Sequence, residues 1–339
     1  MKPQKGTKST EDLSGRTAGS LIFCAFCAFL WLILIPFVAC AQKVDLNKFA
    51  VIINGPGGEP AYAKQFDEWT KQLNGVLAER FGFDSRNVKV LSEKGATAEE
   101  VKRTFATLKP QLDANNVLFL FLIGHGSFDG KESKFNLTGP DLSASEYNAL
   151  LSSLPTRRVV VLNMASASGE FIKSLAAKGR IVITATRNGQ ETNATRFAGF
   201  FISALNAADA DTDQDGHTSV LEAFAYASRL TGDYYKRAGR LATEHALLDD
   251  NGDGVGHEKA EAGEGLLARA TYLDSLSVVE AAASATTVKL LSERTRLEGE
   301  IEQLIARKGS MPEAEYEATL ERLFIELAKV NRSIKQAGS

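Results

Sequence analysis

Val117-Leu118-Phe119-Leu120-Phe121-Leu122-Ile123-Gly124-His125-Gly126-Ser127 runs through seven apolar residues and stops at a histidine flanked by glycines. An unbroken apolar run of this length, without polar alternation, predicts a strand buried on both faces. Arg158–Asn163 and Ile181–Ala185 repeat the signature further along the chain. The first of these continues into Met164-Ala165-Ser166-Ala167-Ser168-Gly169, a turn of small residues. Open α/β sheets gather their chemistry at the carboxyl ends of strands, which is where His125 and Ser166 fall.

Working outward, the pattern alternates. Phe49–Ile53 is a short apolar run that ends in Gly55-Pro56-Gly57-Gly58. Phe66, Trp69, Leu73 and Leu77 give the stretch Tyr62–Phe81 helical spacing, and Val88–Leu91 reads as the next strand. Thr97-Ala98-Glu99-Glu100 has the pattern of a capping box and opens another helix. Strands alternating with helices predict an α/β fold, a mostly parallel sheet with helices on both faces.

The chain has 339 residues, 44% of them hydrophobic, enough for one α/β domain of roughly 100–200 residues with an appendage. Formal charge is −3, and no basic stripe marks a nucleic-acid surface. The start of the chain reads as an export segment. Lys2, Lys5, Lys8 and Arg16 precede an apolar run from Leu21 to Ala41, near the ~20 residues that span a bilayer. Three readings of residues 1–41 fit: a signal peptide cleaved before Gln42, a lipoprotein signal with Cys40 lipidated, and an uncleaved membrane anchor. Each puts the remainder on the periplasmic or extracellular side, with membrane association through the Cys40 lipid in the second and through residues 21–41 in the third. Cys24, Cys27 and Cys40 all lie inside this segment, so the exported body has neither disulfide nor thiolate.

Acyl transfer requires a nucleophile, a base and backbone amides for the oxyanion. His125 is the candidate base, Ser166 the candidate nucleophile, and the Gly126 amide, with that of Ser166, the candidate oxyanion donor. Ser168 and Ser127 are alternative hydroxyls. The order strand-His-Gly followed by strand-Ala-Ser-Ala-Ser-Gly resembles the caspase–haemoglobinase fold, most closely its legumain-like cysteine peptidases. Residues 49–205 carry the resemblance, through Val51-Ile52-Ile53 and its glycine turn, Gln65 and Asp67, Gly124-His125-Gly126-Ser127 and Ala165–Gly169. It implies a His–Cys dyad whose base maps to His125 and whose nucleophile maps to Ser166, with Ile181–Thr186 bordering the substrate cleft.

The chain departs from that family at the nucleophile, which is serine. The family's Asn-Tyr-Arg-His run is Ala61-Tyr62-Ala63-Lys64 here, and Met164 stands at its acidic pocket position. A serine hydroxyl is far less acidic than a thiol and needs a strongly basic, well-oriented partner. The expectation is a pseudopeptidase that binds peptides or protein partners. The alternatives are an active peptidase or amidase using His125 and Ser166, and a structural envelope protein.

Asp211-Thr212-Asp213-Gln214-Asp215-Gly216-His217-Thr218-Ser219-Val220-Leu221-Glu222 follows the calcium loop of the EF-hand. Asp211, Asp213 and Asp215 supply carboxylates, His217 its carbonyl, Ser219 the ninth position and Glu222 two oxygens. Asp249-Asp250-Asn251-Gly252-Asp253-Gly254 repeats the opening of the motif through Asp249, Asn251 and Asp253. Ala260 stands at its twelfth position, with Glu258 and Glu261 as substitutes. Calcium is the expected cofactor, and residues 195–270 form a helical region around these loops within the domain 42–272.

In residues 273–339, Leu290, Leu297, Ile301 and Leu304 and then Leu320, Leu323, Leu327, Val330 and Ile334 keep a three-four rhythm. Lys308-Gly309-Ser310-Met311-Pro312 interrupts it. This predicts an α-helical hairpin with coiled-coil packing, suited to self-association or to contact with a partner.

Overall fold

The computed structural model describes residues 46–214, 216–260, 264–273, scattered positions from 290 to 308, and 311–337. In chain order its elements are β1 (Lys48–Asn54), α1 (Pro60–Glu79), β2 (Val88–Leu91), α2 (Ala98–Leu108), β3 (Val117–Ile123), β4 (Gly126–Phe128), β5 (Ser133–Phe135), β6 (Leu142–Ser143), α3 (Ala144–Ser152), β7 (Arg158–Asn163), α4 (Phe171–Leu175), β8 (Arg180–Thr184), α5 (Phe197–Ala204), α6 (Val220–Arg237), β9 (Leu247–Asp249), α7 (Leu266–Arg269) and α8 (Glu313–Ala337). None of the described helices is long and apolar enough to cross a membrane, and residues 21–41 lie outside the described residues.

Six strands form one sheet in the order β2-β1-β3-β7-β8-β9, parallel except for β9. Side chains alternate across it, as a period of two requires. Ala50, Ile52, Phe119, Phe121, Val160 and Leu162 face a core filled by α1, α5, α6 and α7. Phe49, Val51, Leu118, Leu120, Val159 and Val161 face a second core under α2, α3 and α4. Helices therefore cover both faces, and this double burial is why the strands read as unbroken apolar runs.

Local signals start the helices. Pro60 opens α1, where its missing N–H costs nothing. Thr97 accepts the Glu100 amide at the start of α2, whereas the Glu100 side chain pairs with Arg103 instead of closing the box. The full capping box lies at α3, between Ser143 and Glu146.

Between β3 and α3, the strands β4, β5 and β6 form a small antiparallel sheet. Its Phe135 is fully buried and covers Gly124, where an added Cβ would meet the ring at 3.1 Å. A separate apolar cluster joins Tyr316 and Leu323 of α8 to Leu297, Ile301 and Leu304.

Candidate functional site

Neighbouring strands β3 and β7 run parallel, with Leu122 opposite Asn163. Their carboxyl ends carry His125 and Ser166 to the same rim of the sheet. The turn after β7 is tightly held. Asn163 Oδ1 accepts the Ala165 amide at 3.2 Å, and Thr195 donates its hydroxyl to the Met164 carbonyl at 2.6 Å. Ala167 adopts a left-handed φ of 51°, a strained state for a residue with a Cβ, and its amide donates to the Glu191 carbonyl at 2.8 Å. The Ser168 and Gly169 amides both donate to Thr186 Oγ1, at 2.8 and 3.1 Å.

Ser166 is 2% exposed. Its Oγ accepts the Gly126 amide at 3.2 Å and donates to the Gly126 carbonyl at 3.3 Å. Gly126 is packed so closely that a Cβ there would lie 2.3 Å from the Ser166 carbonyl oxygen. The amide expected to serve an oxyanion is thus engaged by the hydroxyl at the nucleophile position. Among the described residues, both hydrogen-bond partners of that hydroxyl belong to Gly126.

His125 is half-buried and meets the rings of Tyr62 and Phe66 edge-on, both at 5.1 Å between centroids. Burial lowers its pKa, opposed by a hydrogen bond to the Gly57 backbone and by the charge of Glu59. The imidazole is therefore neutral near pH 7.

Glu191, which sequence reasoning passed over and whose carbonyl holds Ala167, also meets His245 through its side chain. Glu191 Oε1 lies 2.5 Å from His245 Nδ1, and Glu191 Oε2 accepts the amides of Arg187 and His245. A cleft of about 810 Å³ lies nearby, lined among others by Leu221, Phe224, His245, Ala246, Arg229 and Glu258. His125 and Ser166 are not among its lining residues.

In the first acidic loop, carboxylate oxygens of Asp211, Asp213 and Glu222 lie within 4.8 Å of one another. Asp215 lies outside the described residues. Asp211 Oδ2 accepts the Gly216 amide, and Glu222 accepts from Thr212, Asp213 and Ser219. Ser219 caps α6 in a capping box with Glu222. The His217 ring packs edge-on against Tyr272. All-oxygen donors converging around the glycine turn fit a hard cation such as calcium.

In the second loop the structure groups Asp249 and Asp253 with Glu264, a residue absent from the sequence reading. Asn251 Oδ1 accepts the Asp253 amide at 2.7 Å. Glu258, one of the expected substitutes, lies 3.8 Å from Arg187 instead, and Glu261 is outside the described residues. Burial raises the pKa of Asp249 and Glu264, with the Asp250 carboxylate adding to the rise at both.

These features define an α/β protein with a mainly parallel six-stranded sheet. No family model matches the chain, and no curated protein matches it. Among solved structures, it is similar to protein GSU0716 from Geobacter sulfurreducens, with a TM-score of 0.43 and 15% identity over 60% of this chain and 92% of that one.

Proposed function

We propose that this chain is an exported, non-hydrolytic member of the caspase/legumain-like peptidase fold that binds a peptide or protein partner. The observation that carries the reading is the Ser166 hydroxyl bonded at both its donor and acceptor positions to Gly126. A serine nucleophile must pass its proton to a base, and here that proton points to a carbonyl, which is not one. The resemblance itself is supported by the sheet, in which His125 and Ser166 follow the carboxyl ends of adjacent parallel strands. The converging oxygens of Asp211, Asp213 and Glu222 support calcium as a structural ion there. The cluster of Leu297, Ile301, Leu304, Tyr316 and Leu323 supports a C-terminal helical hairpin as a contact element. Residues 1–41 serve export, by cleavage, lipidation at Cys40 or anchoring.

The test is active-site labelling of the purified chain with a fluorophosphonate. The expected result is no label, with a Ser166→Cys variant gaining thiol-dependent labelling at the retained turn. Labelling of the natural chain that Ser166→Ala abolishes overturns the reading in favour of a His125–Ser166 hydrolase. Partner binding is read separately by the fluorescence anisotropy of a labelled random-peptide pool, and absence of any binding removes that half of the proposal.

A further inference from the structure

Glu264 is 2% exposed, yet among the described residues its Oε1 has no hydrogen-bond partner. Its other oxygen accepts the Asp250 amide at 3.1 Å. His257 Nε2 stands 4.0 Å from Oε1, beyond hydrogen-bond reach. A buried carboxylate oxygen without a donor is costly, and this one shares its space with two further carboxylates. Asp249 is fully buried and Asp253 exposed, and their oxygens lie with that of Glu264 inside a span of 4.8 Å.

The neighbouring carboxylates are held by backbone amides. Asp250, also buried, spends both carboxylate oxygens on the Gly265 and Ala268 amides at the start of α7. Asp249 accepts the Gly252 and Gly254 amides. Each carboxylate oxygen retains a second lone pair, so these bonds orient Asp249 without exhausting it.

We infer that Asp249, Asp253 and Glu264 form a calcium site in which Glu264 replaces the ligand expected at the twelfth loop position. Glu264 is the sixteenth residue counted from Asp249. The chain reaches it after the loop has closed as a hairpin, through paired bonds between Leu248 and His257. Asn251 Oδ1 lies in the same loop as a neutral oxygen donor. The donor set is oxygen throughout, which selects a hard cation over zinc. Asp249 ends the sheet-edge strand β9 and Glu264 precedes α7, so the ion fastens the edge of the sheet to that helix. The inference rests on reading the Asp249 run as a cation loop.

Calcium titration calorimetry on the chelator-treated full chain tests it, in an Asp213→Asn background that silences the first loop. The expected result is one calcium ion bound, with affinity falling by about 100-fold or more when Glu264→Gln is added, on the loss of one ligand charge. Glutamine keeps a carbonyl oxygen for the Asp250 amide, and circular dichroism checks that the variant is folded. Asp253→Asn, at an exposed position, should weaken binding without touching the core. Unchanged affinity in Glu264→Gln overturns the assignment of Glu264 while leaving the loop reading intact. Absence of any binding in the Asp213→Asn background overturns both.

Discussion

Ser166 Oγ lies 3.2 Å from the Gly126 amide, whose hydrogen it accepts, and 3.3 Å from the Gly126 carbonyl, to which it donates. One hydroxyl thereby ties the turn after β7 to the first residue of β4. The same approach leaves no room for a side chain, since a Cβ on Gly126 would stand 2.3 Å from the Ser166 carbonyl oxygen and 2.9 Å from that of Lys134. Both obstacles are backbone atoms and cannot swing aside. Gly126→Ala should therefore cost about 2–3 kcal/mol, as overpacking of a rigid site does. Urea denaturation measures it, and a loss below about 0.5 kcal/mol would contradict the close approach.

The edge-on packing of His125 against Tyr62 and Phe66 has a pH signature. Burial holds its pKa below the ordinary value of roughly 6.5, so between those two values the unfolded chain binds more protons than the folded one. The contribution of His125 to stability is complete above pH 6.5 or so and declines as pH falls towards the folded pKa. Imidazole NMR should give His125 a midpoint below that value. Replacement by phenylalanine should flatten this part of the stability profile, and a midpoint above 6.5 or so contradicts the burial argument.

The strands were the legible part of this chain, for a physical reason. β3 and β7 fall within a residue of where their apolar runs begin and end, because burial on both sheet faces keeps polar residues to the strand ends. β9 and the small sheet β4-β5-β6 escaped notice because strands of two or three residues carry too little periodicity to read. The site was legible only as positions. That His125 and Ser166 share a rim follows from strand order, but the hydroxyl's attachment to Gly126 depends on distances that no spacing encodes. Glu264 was invisible for a related reason. A carboxylate that joins the group only after a hairpin has closed falls outside any fixed loop register, whereas Asp211, Asp213 and Glu222 belong to one continuous register and could be read directly.

Calcium should raise the melting temperature through the first loop. An ion at 100 times its Kd stabilises the folded state by about 2.7 kcal/mol, or roughly 5–10 °C for a domain of this size. Glu222→Gln removes one charge from the group with Asp211 and Asp213 and should reduce the shift. Combining it with Asp253→Asn should remove the shift. Differential scanning calorimetry with calcium and with chelator decides, and a melting temperature indifferent to calcium eliminates the stabilising role of both loops.

Glu244 offers a test of packing that is independent of any ligand. Its carboxylate is 2% exposed and accepts the amides of Arg196 and Phe197 at the start of α5, as well as the Tyr235 hydroxyl of α6 at 2.9 Å. A negative charge at a helix N-terminus is favourable, and this one joins two helices that fill the same core. Burial nevertheless raises its pKa, so desolvation outweighs the donors in setting its protonation. Glu244→Ala strips the two amides of their side-chain acceptor. Tyr235 keeps its contact with Thr243 at 3.0 Å, which limits the damage on that side. With unsatisfied buried donors costing about 1–3 kcal/mol each, the alanine variant should lose about 3 kcal/mol. Glu244→Gln retains a carbonyl oxygen for the helix and should lose about half as much. Equal losses in the two variants would show that charge, not hydrogen bonding, supplies the stabilisation at this junction.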